Sequence, residues 1–212
     1  MGLVAFDFDS TLVDAEMIDQ LGRQAGVADE MVELTERAMA DEIDYAESLR
    51  ERVGLLTGMD GEAVARAIDT IELRPGAADL LTDLAAADVR TAVITGAFER
   101  GVQRILETAD VSVDALVANQ LEVADHQLTG SVSGPLVEGT KDVALAAIAS
   151  EFDVRLADTV AVGDGANDRA MLETAGIGIG FSPQPAIADA CDVTVESMDA
   201  LREELVRRQY LA

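Results

Sequence analysis

The sequence predicts an α/β fold: a parallel sheet covered by helices on both faces, with a small helical domain inserted after the first strand. Three observations carry this. Residues 4 to 12, VAFDFDSTL, open with a strand-like apolar run. Residues 15 to 73 then show almost no β signal. From Pro75 onward, strand-like and helix-like runs alternate, the pattern of parallel strands joined by helical crossovers. The expected division is a core of residues 1–14 and 75–212 and a helical insertion of 15–74.

Within the insertion, Leu49, Val53 and Leu56 recur at helical spacing, as do Val64, Ala67, Ile68 and Ile71. Gly26, Gly54, Gly58 and Gly61 mark breaks between helices, and LRPG at 73–76 closes the segment with a proline suited to starting the next helix. Beyond it the pattern predicts a helix near 76–87, strand VRTAVIT, a helix near 98–109 and strand VDALVAN. A less regular section follows, with turn signals at LTGS and SGP. Then come a helix near 140–151, strand TVAVGD, a helix near 167–175, strand GIGIG, the short strand DVTV and a helix near 199–209. The first strand is expected to pair centrally in this sheet.

Composition narrows the function. A chain of 212 residues with 49% hydrophobic content can bury a large core. Its 41 acidic and 15 basic residues give a net charge of −26, which repels nucleic acid and anionic membrane surfaces. The acids are spread through every segment, a pattern that a high-salt cytoplasm explains. A single cysteine, Cys191, no basic leader and no long apolar stretch lead to the expectation of a reducing, cytoplasmic setting and of a monomer or homodimer. Cys191 reads as a small packed residue and His126, the sole histidine, as a loop residue, so no histidine-based triad or histidine-based metal cluster is available.

In open parallel sheets, ligands bind beyond the carboxyl ends of the strands. Here the first strand ends in Asp7 and Asp9, AVIT ends in Thr95 and Gly96, and VAVGD ends in Asp164, followed by Asn167 and Asp168. Asp7 and Asp9 alternate onto one face, where two like charges call for a cation or a set of N–H donors; a strand end leading into a turn and helix cap fits the same residues equally well. Lys141 is the only lysine among the 15 basic residues, which marks a position needing a compact ammonium instead of a planar guanidinium. Acids at two strand ends, a hydroxyl at a third and a lysine suit phosphoryl transfer through an aspartyl phosphate, with a hard oxygen-ligand site for Mg²⁺.

DFDSTL, VITG, Lys141 and GDGANDRAM resemble, in order, the four motifs of the haloacid dehalogenase superfamily of phosphatases. The resemblance implies a Rossmann-like core, with Asp7 as nucleophile and Asp9 as general acid and base. It implies Mg²⁺ at Asp7, Asp9 (through its backbone carbonyl) and Asp164, with Asp168 orienting the site. Thr95, Gly96, Lys141 and Asn167 would hold the phosphoryl group. The insertion resembles the small cap of the phosphoserine phosphatases: that family carries a glutamate nine residues after the nucleophile, where Glu16 stands, and an arginine in a segment like YAESLRERVGLL, where Arg52 stands. An acid for an ammonium group and a guanidinium for a carboxylate are what an amino-acid phosphate requires. Met39 and Tyr45 would line the pocket. This resemblance implies release of L-serine from phosphoserine, the last step of serine biosynthesis.

Two departures from that pattern are visible. TGAF carries Thr95 and Ala97 where the family has serine and a second glycine, and Asp142 replaces the glycine after the lysine. Transfer of the phosphoryl group to another alcohol, or action on another small phosphate monoester, fits the same motifs. A receiver-type aspartyl-phosphate switch uses similar groups but lacks an insertion after the first strand.

The charge of −26 generates a first prediction. Raising salt from 0.1 to 1 M shortens the screening length from about 10 to about 3 Å, so self-repulsion weakens and the melting temperature should rise. A thermal melt series that is flat or falls over this range would contradict it.

Overall fold

The computed structural model describes residues 2–40 and 42–212. Strand β1 (Leu3–Phe6) is apolar on both faces and wholly buried, as a central parallel strand must be. Four helices follow before the chain re-enters the sheet layer: α1 (Met17–Ala25), α2 (Ala28–Met39), α3 (Tyr45–Gly54) and α4 (Gly61–Ile68). Gly26 ends α1 in a left-handed conformation at φ 76°, which costs glycine nothing. Asp44 and Asp60 cap α3 and α4, the Asp60 carboxylate accepting from the N–H groups of Glu62 and Ala63 at 2.7 and 3.1 Å.

The remainder alternates: α5 (Ala77–Ala86), β2 (Arg90–Phe98), α6 (Glu99–Thr108), β3 (Ala115–Ala124), β4 (Gln127–Ser133), α7 (Pro135–Glu138), α8 (Lys141–Glu151), β5 (Thr159–Gly163), α9 (Arg169–Thr174), β6 (Ile177–Phe181), β7 (Val193–Val195) and α10 (Met198–Arg207). The seven strands lie in the order β4-β3-β2-β1-β5-β6-β7. All neighbours are parallel except β3 and β4. β1 is central, as its uninterrupted apolar run predicts.

The two-residue period of the strands sorts their side chains into two cores. Val4, Phe6, Val93, Val160 and Val162 face a larger cluster with α5, α6 and α10, and this cluster runs on without a break into Met17, Leu21, Leu49 and Val53 of the inserted helices. Leu3, Ala5, Ala92, Ile94 and Ala161 face a smaller cluster with Leu145, Ile148 and Leu172 of α8 and α9.

One element departs from the sequence expectation. The less regular section is a hairpin: β3 extends to Ala124, Asp125 and His126 turn with φ 49° and 64°, and β4 returns antiparallel with a register shift between Leu121 and Val123. Leu121 and Val123, and Leu128 and Val132, do alternate with polar residues, but the turn at Asp125–His126 carries no glycine or proline, and the turn signal LTGS falls inside β4. The hairpin is stitched to the insertion by backbone bonds, Gly58 N–H to the Leu128 carbonyl, Leu128 N–H to Met59 and Gly61 N–H to His126, at 2.8 to 2.9 Å. At the other end Arg74 N–H bonds the Leu12 carbonyl at 2.8 Å. The inserted helices are therefore held both at their chain entry and along the edge of β4.

Asp60→Ala removes the acceptor for two N–H groups at the start of α4, and should lower stability by about 1 kcal/mol, or about 2–4 °C in melting temperature for a chain of this size. Asp60→Asn should retain most of it. Equal melting of Asp60→Ala and wild type would show the cap to be idle.

Candidate active site

β1 ends at Phe6, so Asp7 and Asp9 stand just beyond the ladder instead of within it; Asp7 N–H still bonds the Val162 carbonyl of β5 at 2.8 Å. Ser10 takes a left-handed conformation at φ 57° and reverses the chain, so that the N–H groups of Leu12 and Val13 return to the Phe8 carbonyl at 2.9 and 3.1 Å. This tight turn buries Phe8 on one side and leaves Asp7 and Asp9 on the other.

A cavity of about 430 Å³ lies between these strand ends and the inserted helices. It is lined by Asp7, Asp9, Thr95, Gly96, Asp164 and Asn167 from the core side and by Glu16, Met39, Tyr45 and Arg52 from the insertion side. Lys141 and Asp168 do not line it: they are buried behind Asp7, where Lys141 Nζ bridges Asp7 Oδ1 at 2.7 Å and Asp168 Oδ1 at 2.6 Å. Lys141 instead reaches an adjoining cavity of about 320 Å³ that shares Tyr45, Gly96 and Asn167 with the first. The Tyr45 hydroxyl lies so close to Gly96 that a Cβ there would collide with it. Met39 is 80% exposed and sits at the rim of the cavity.

The partners of each carboxylate differ. Asp7 Oδ1 accepts from Phe8 N–H at 2.7 Å as well as from Lys141, which leaves Oδ2 without a partner among the described residues. Asp168 is saturated, its Oδ2 accepting from the N–H groups of Asp164 and Gly165 at 3.0 and 2.9 Å. Gly163 must be glycine, because a Cβ there would run into the Asp168 carboxylate. Asp9 Oδ2 accepts from Met17 N–H at 3.0 Å at the start of α1, while its Oδ1 is buried with no partner. Asp164 accepts from the Thr11 hydroxyl at 3.3 Å.

Burial pushes the Asp7 carboxyl up to about 7, with added repulsion from Asp168 and an opposing pull from Lys141 and Phe8 N–H. Asp164 rises to about 6 through burial and the charges of Asp168 and Glu16. Asp9 is raised well above the usual carboxylate range by burial and then by Glu16. Burial alone would lower Lys141, but Asp7 and Asp168 more than reverse this, so it stays an ammonium. Glu16 keeps exposed surface at the cavity wall and accepts from the Ser10 hydroxyl at 2.8 Å, yet the protein around it is enough to raise it. Arg52 makes no ion pair among the described residues, and its Nε is buried without a hydrogen-bond partner.

Carboxylate oxygens of Asp7, Asp164 and Asp168 come within 4.8 Å of one another. An all-oxygen donor set suits a hard divalent cation. Because both Asp168 oxygens are taken by N–H donors, Asp7 and Asp164 are the acids of this cluster with oxygen lone pairs to spare.

The haloacid dehalogenase-like hydrolase model matches residues 4–173, from β1 through α9 and across every motif placed above. The chain belongs to this family. Among haloacid dehalogenase-like hydrolases it is similar to a phosphoserine phosphatase of Halobacterium salinarum, 50% identical over 95% of both chains. One from Archaeoglobus fulgidus is 40% identical over 91% of this chain, which spans 56% of that longer relative. The solved structure of a phospho-aspartyl intermediate analogue of a phosphoserine phosphatase superposes with a TM-score of 0.87 at 39% identity, over 98% of both chains. No described helix is long and apolar enough to cross a membrane.

The structure brings together all the residues that the sequence singled out, in two layers: a buried one of Lys141 and Asp168, and a cavity-lining one of the rest. It adds Ser10, Thr11, Asp19 and Gln184. Asp19 stands three residues after Glu16, one turn on along α1, a spacing that was readable; nothing in the sequence marks Gln184.

In the metal-free protein, the folded state binds protons at Asp7 and Asp164 more tightly than the unfolded chain, whose carboxyls titrate near 3.8. Their stabilising contribution is thus present below that value and lost as pH rises through about 6 and about 7. Asp7→Asn removes one of the two groups. In EDTA, the melting temperature of Asp7→Asn minus that of wild type should therefore increase from pH 5 to pH 8, and a constant or shrinking difference would refute the assignment.

Proposed function

We propose that this chain hydrolyses O-phospho-L-serine to L-serine and phosphate through an aspartyl phosphate on Asp7, with residues 15–74 acting as a cap over the 1–14 and 75–212 core. The observation that carries the reading is Arg52: in a chain with 41 acids, a partly buried guanidinium without an ion pair lines the same cavity as Asp7 and Asp9, together with the carboxylate of Glu16. The names of the relatives at 50% and 39% identity support it.

In this reading the Asp7 oxygen not held by Lys141 attacks phosphorus. Asp9, whose carboxyl burial raises well above the usual carboxylate range, gives a proton to the departing serine oxygen and afterwards takes one from the hydrolytic water. Lys141 holds Asp7 in place and offsets charge on the phosphoryl oxygens, while the Thr95 hydroxyl, Gly96 and Asn167 donate hydrogen bonds to them. Glu16 takes the substrate ammonium and Arg52 its carboxylate, with Tyr45 and Met39 closing the cavity wall. Asp7, Asp164 and the backbone carbonyl of Asp9 would hold Mg²⁺, with Asp168 as support; when bound, the ion supplies positive charge to the phosphoryl oxygens and to the acid cluster. The acidic surface suits a cytoplasm of high salt, and since every residue of the site as read here comes from one chain, the reading fits a monomer or a homodimer.

Arg52→Ala tests the substrate. It should lose about 2–5 kcal/mol of transition-state binding for phosphoserine, the scale of a broken buried charge pair. Phosphoethanolamine, which lacks the carboxylate, should be a poor substrate of wild type and lose little more in the variant. Comparing kcat/KM for both substrates in both proteins decides the matter, and equal losses would make Arg52 a support of the insertion instead of a carboxylate ligand.

A further inference from the structure

The ladder between β2 and β3 breaks where Thr95 lies. Ile94 faces Val117 and Phe98 faces Asn119, so Thr95, Gly96 and Ala97 oppose Ala118 alone. Such a bulge re-aims side chains and leaves ladder groups unpaired. Within it Ala97 N–H donates to the Thr95 hydroxyl oxygen at 3.1 Å.

Asn119, wholly buried and outside the cavity lining, supplies the missing partner. Its Nδ2–H donates to the Gly96 carbonyl at 3.1 Å, and its Oδ1 accepts from Leu136 N–H at 3.0 Å in the first turn of α7. Gly134, at φ 135°, passes so close that a Cβ would meet Asn119 Cα and Oδ1 at 2.7 Å. One amide thus joins the bulge that presents Thr95 to the segment that runs directly into Lys141. A leucine would fill the same volume and bond neither segment.

We propose that Asn119 is a positioning residue for the phosphoryl site, setting the shape of the 95–97 bulge so that the Thr95 hydroxyl and the adjacent N–H groups point at the phosphoryl oxygens. The proposal rests on reading this cavity as the site of phosphoryl transfer. It acts through Gly96 and touches no substrate.

Two variants separate its arms. Asn119→Asp keeps the volume and the acceptor for Leu136 N–H but loses the N–H donor to the Gly96 carbonyl, whereas Asn119→Ala loses both. In each, kcat should fall about 10- to 100-fold and competitive inhibition by inorganic phosphate should weaken, while inhibition by L-serine, held at the other end of the cavity, stays within about twofold of wild type. Wild-type kcat and phosphate inhibition in folded Asn119→Asp would overturn the proposal. So would equal weakening of phosphate and serine, or failure of both variants to fold, since either makes Asn119 a packing residue. If wild type instead prefers another phosphate monoester, the substrate reading fails by itself; phosphate inhibition is then read against that monoester, with its alcohol product in place of L-serine.

Discussion

A buried ammonium holds this structure's reactive end together. Lys141 is 3% exposed and lies within 2.7 Å of Asp7 and 2.6 Å of Asp168. An unpaired charge at such a position costs several kcal/mol, so cation and carboxylates need one another. The three side chains come from the end of β1, the start of α8 and the turn after β5, and the second oxygen of Asp168 gathers the N–H groups of Asp164 and Gly165. Burial raises Asp7 and Asp164, and the second carboxylate, that of Asp168, left uncompensated by the one ammonium, adds to the rise. A guanidinium is larger and planar, whereas a compact ammonium reaches both oxygens within 2.7 Å from a buried position.

The excess negative charge shapes the rest of the cavity. Asp7, Asp9, Glu16, Asp19 and Asp164 all line it, and Arg52 is the sole guanidinium on the lining among the described residues. An amino-acid phosphate carries charges complementary to such a lining: a phosphoryl group and a carboxylate against the cationic and N–H donors, and an ammonium against the acids. The insertion that carries Arg52 shares one apolar core with the sheet face and is bonded along the hairpin edge, so its position over the strand ends is set by packing and backbone bonds at once.

By itself the sequence determined the class of fold, the central place of β1, most helix and strand positions and the ordered acids, hydroxyl and lysine, because each rests on local pattern: apolar runs, glycine and proline breaks, and polar residues at strand ends. The hairpin beyond Asn119 escaped it, since its turn at Asp125–His126 carries no glycine or proline and its pairing is fixed by bonds to a segment some 70 residues earlier, such as that from Leu128 N–H to Met59. Only the tertiary structure decided that Asp168 is bound to Lys141 and not open to a ligand, that Asp7 and Asp9 lie past the ladder in a turn, that Met39 stands at a rim, and that Asn119 clasps the bulge at Thr95. Each of these depends on which group fills the hydrogen-bonding capacity of another far along the chain. That is a property of the packed protein, where most buried donors and acceptors find partners, some of them far along the chain, and no window of sequence contains it.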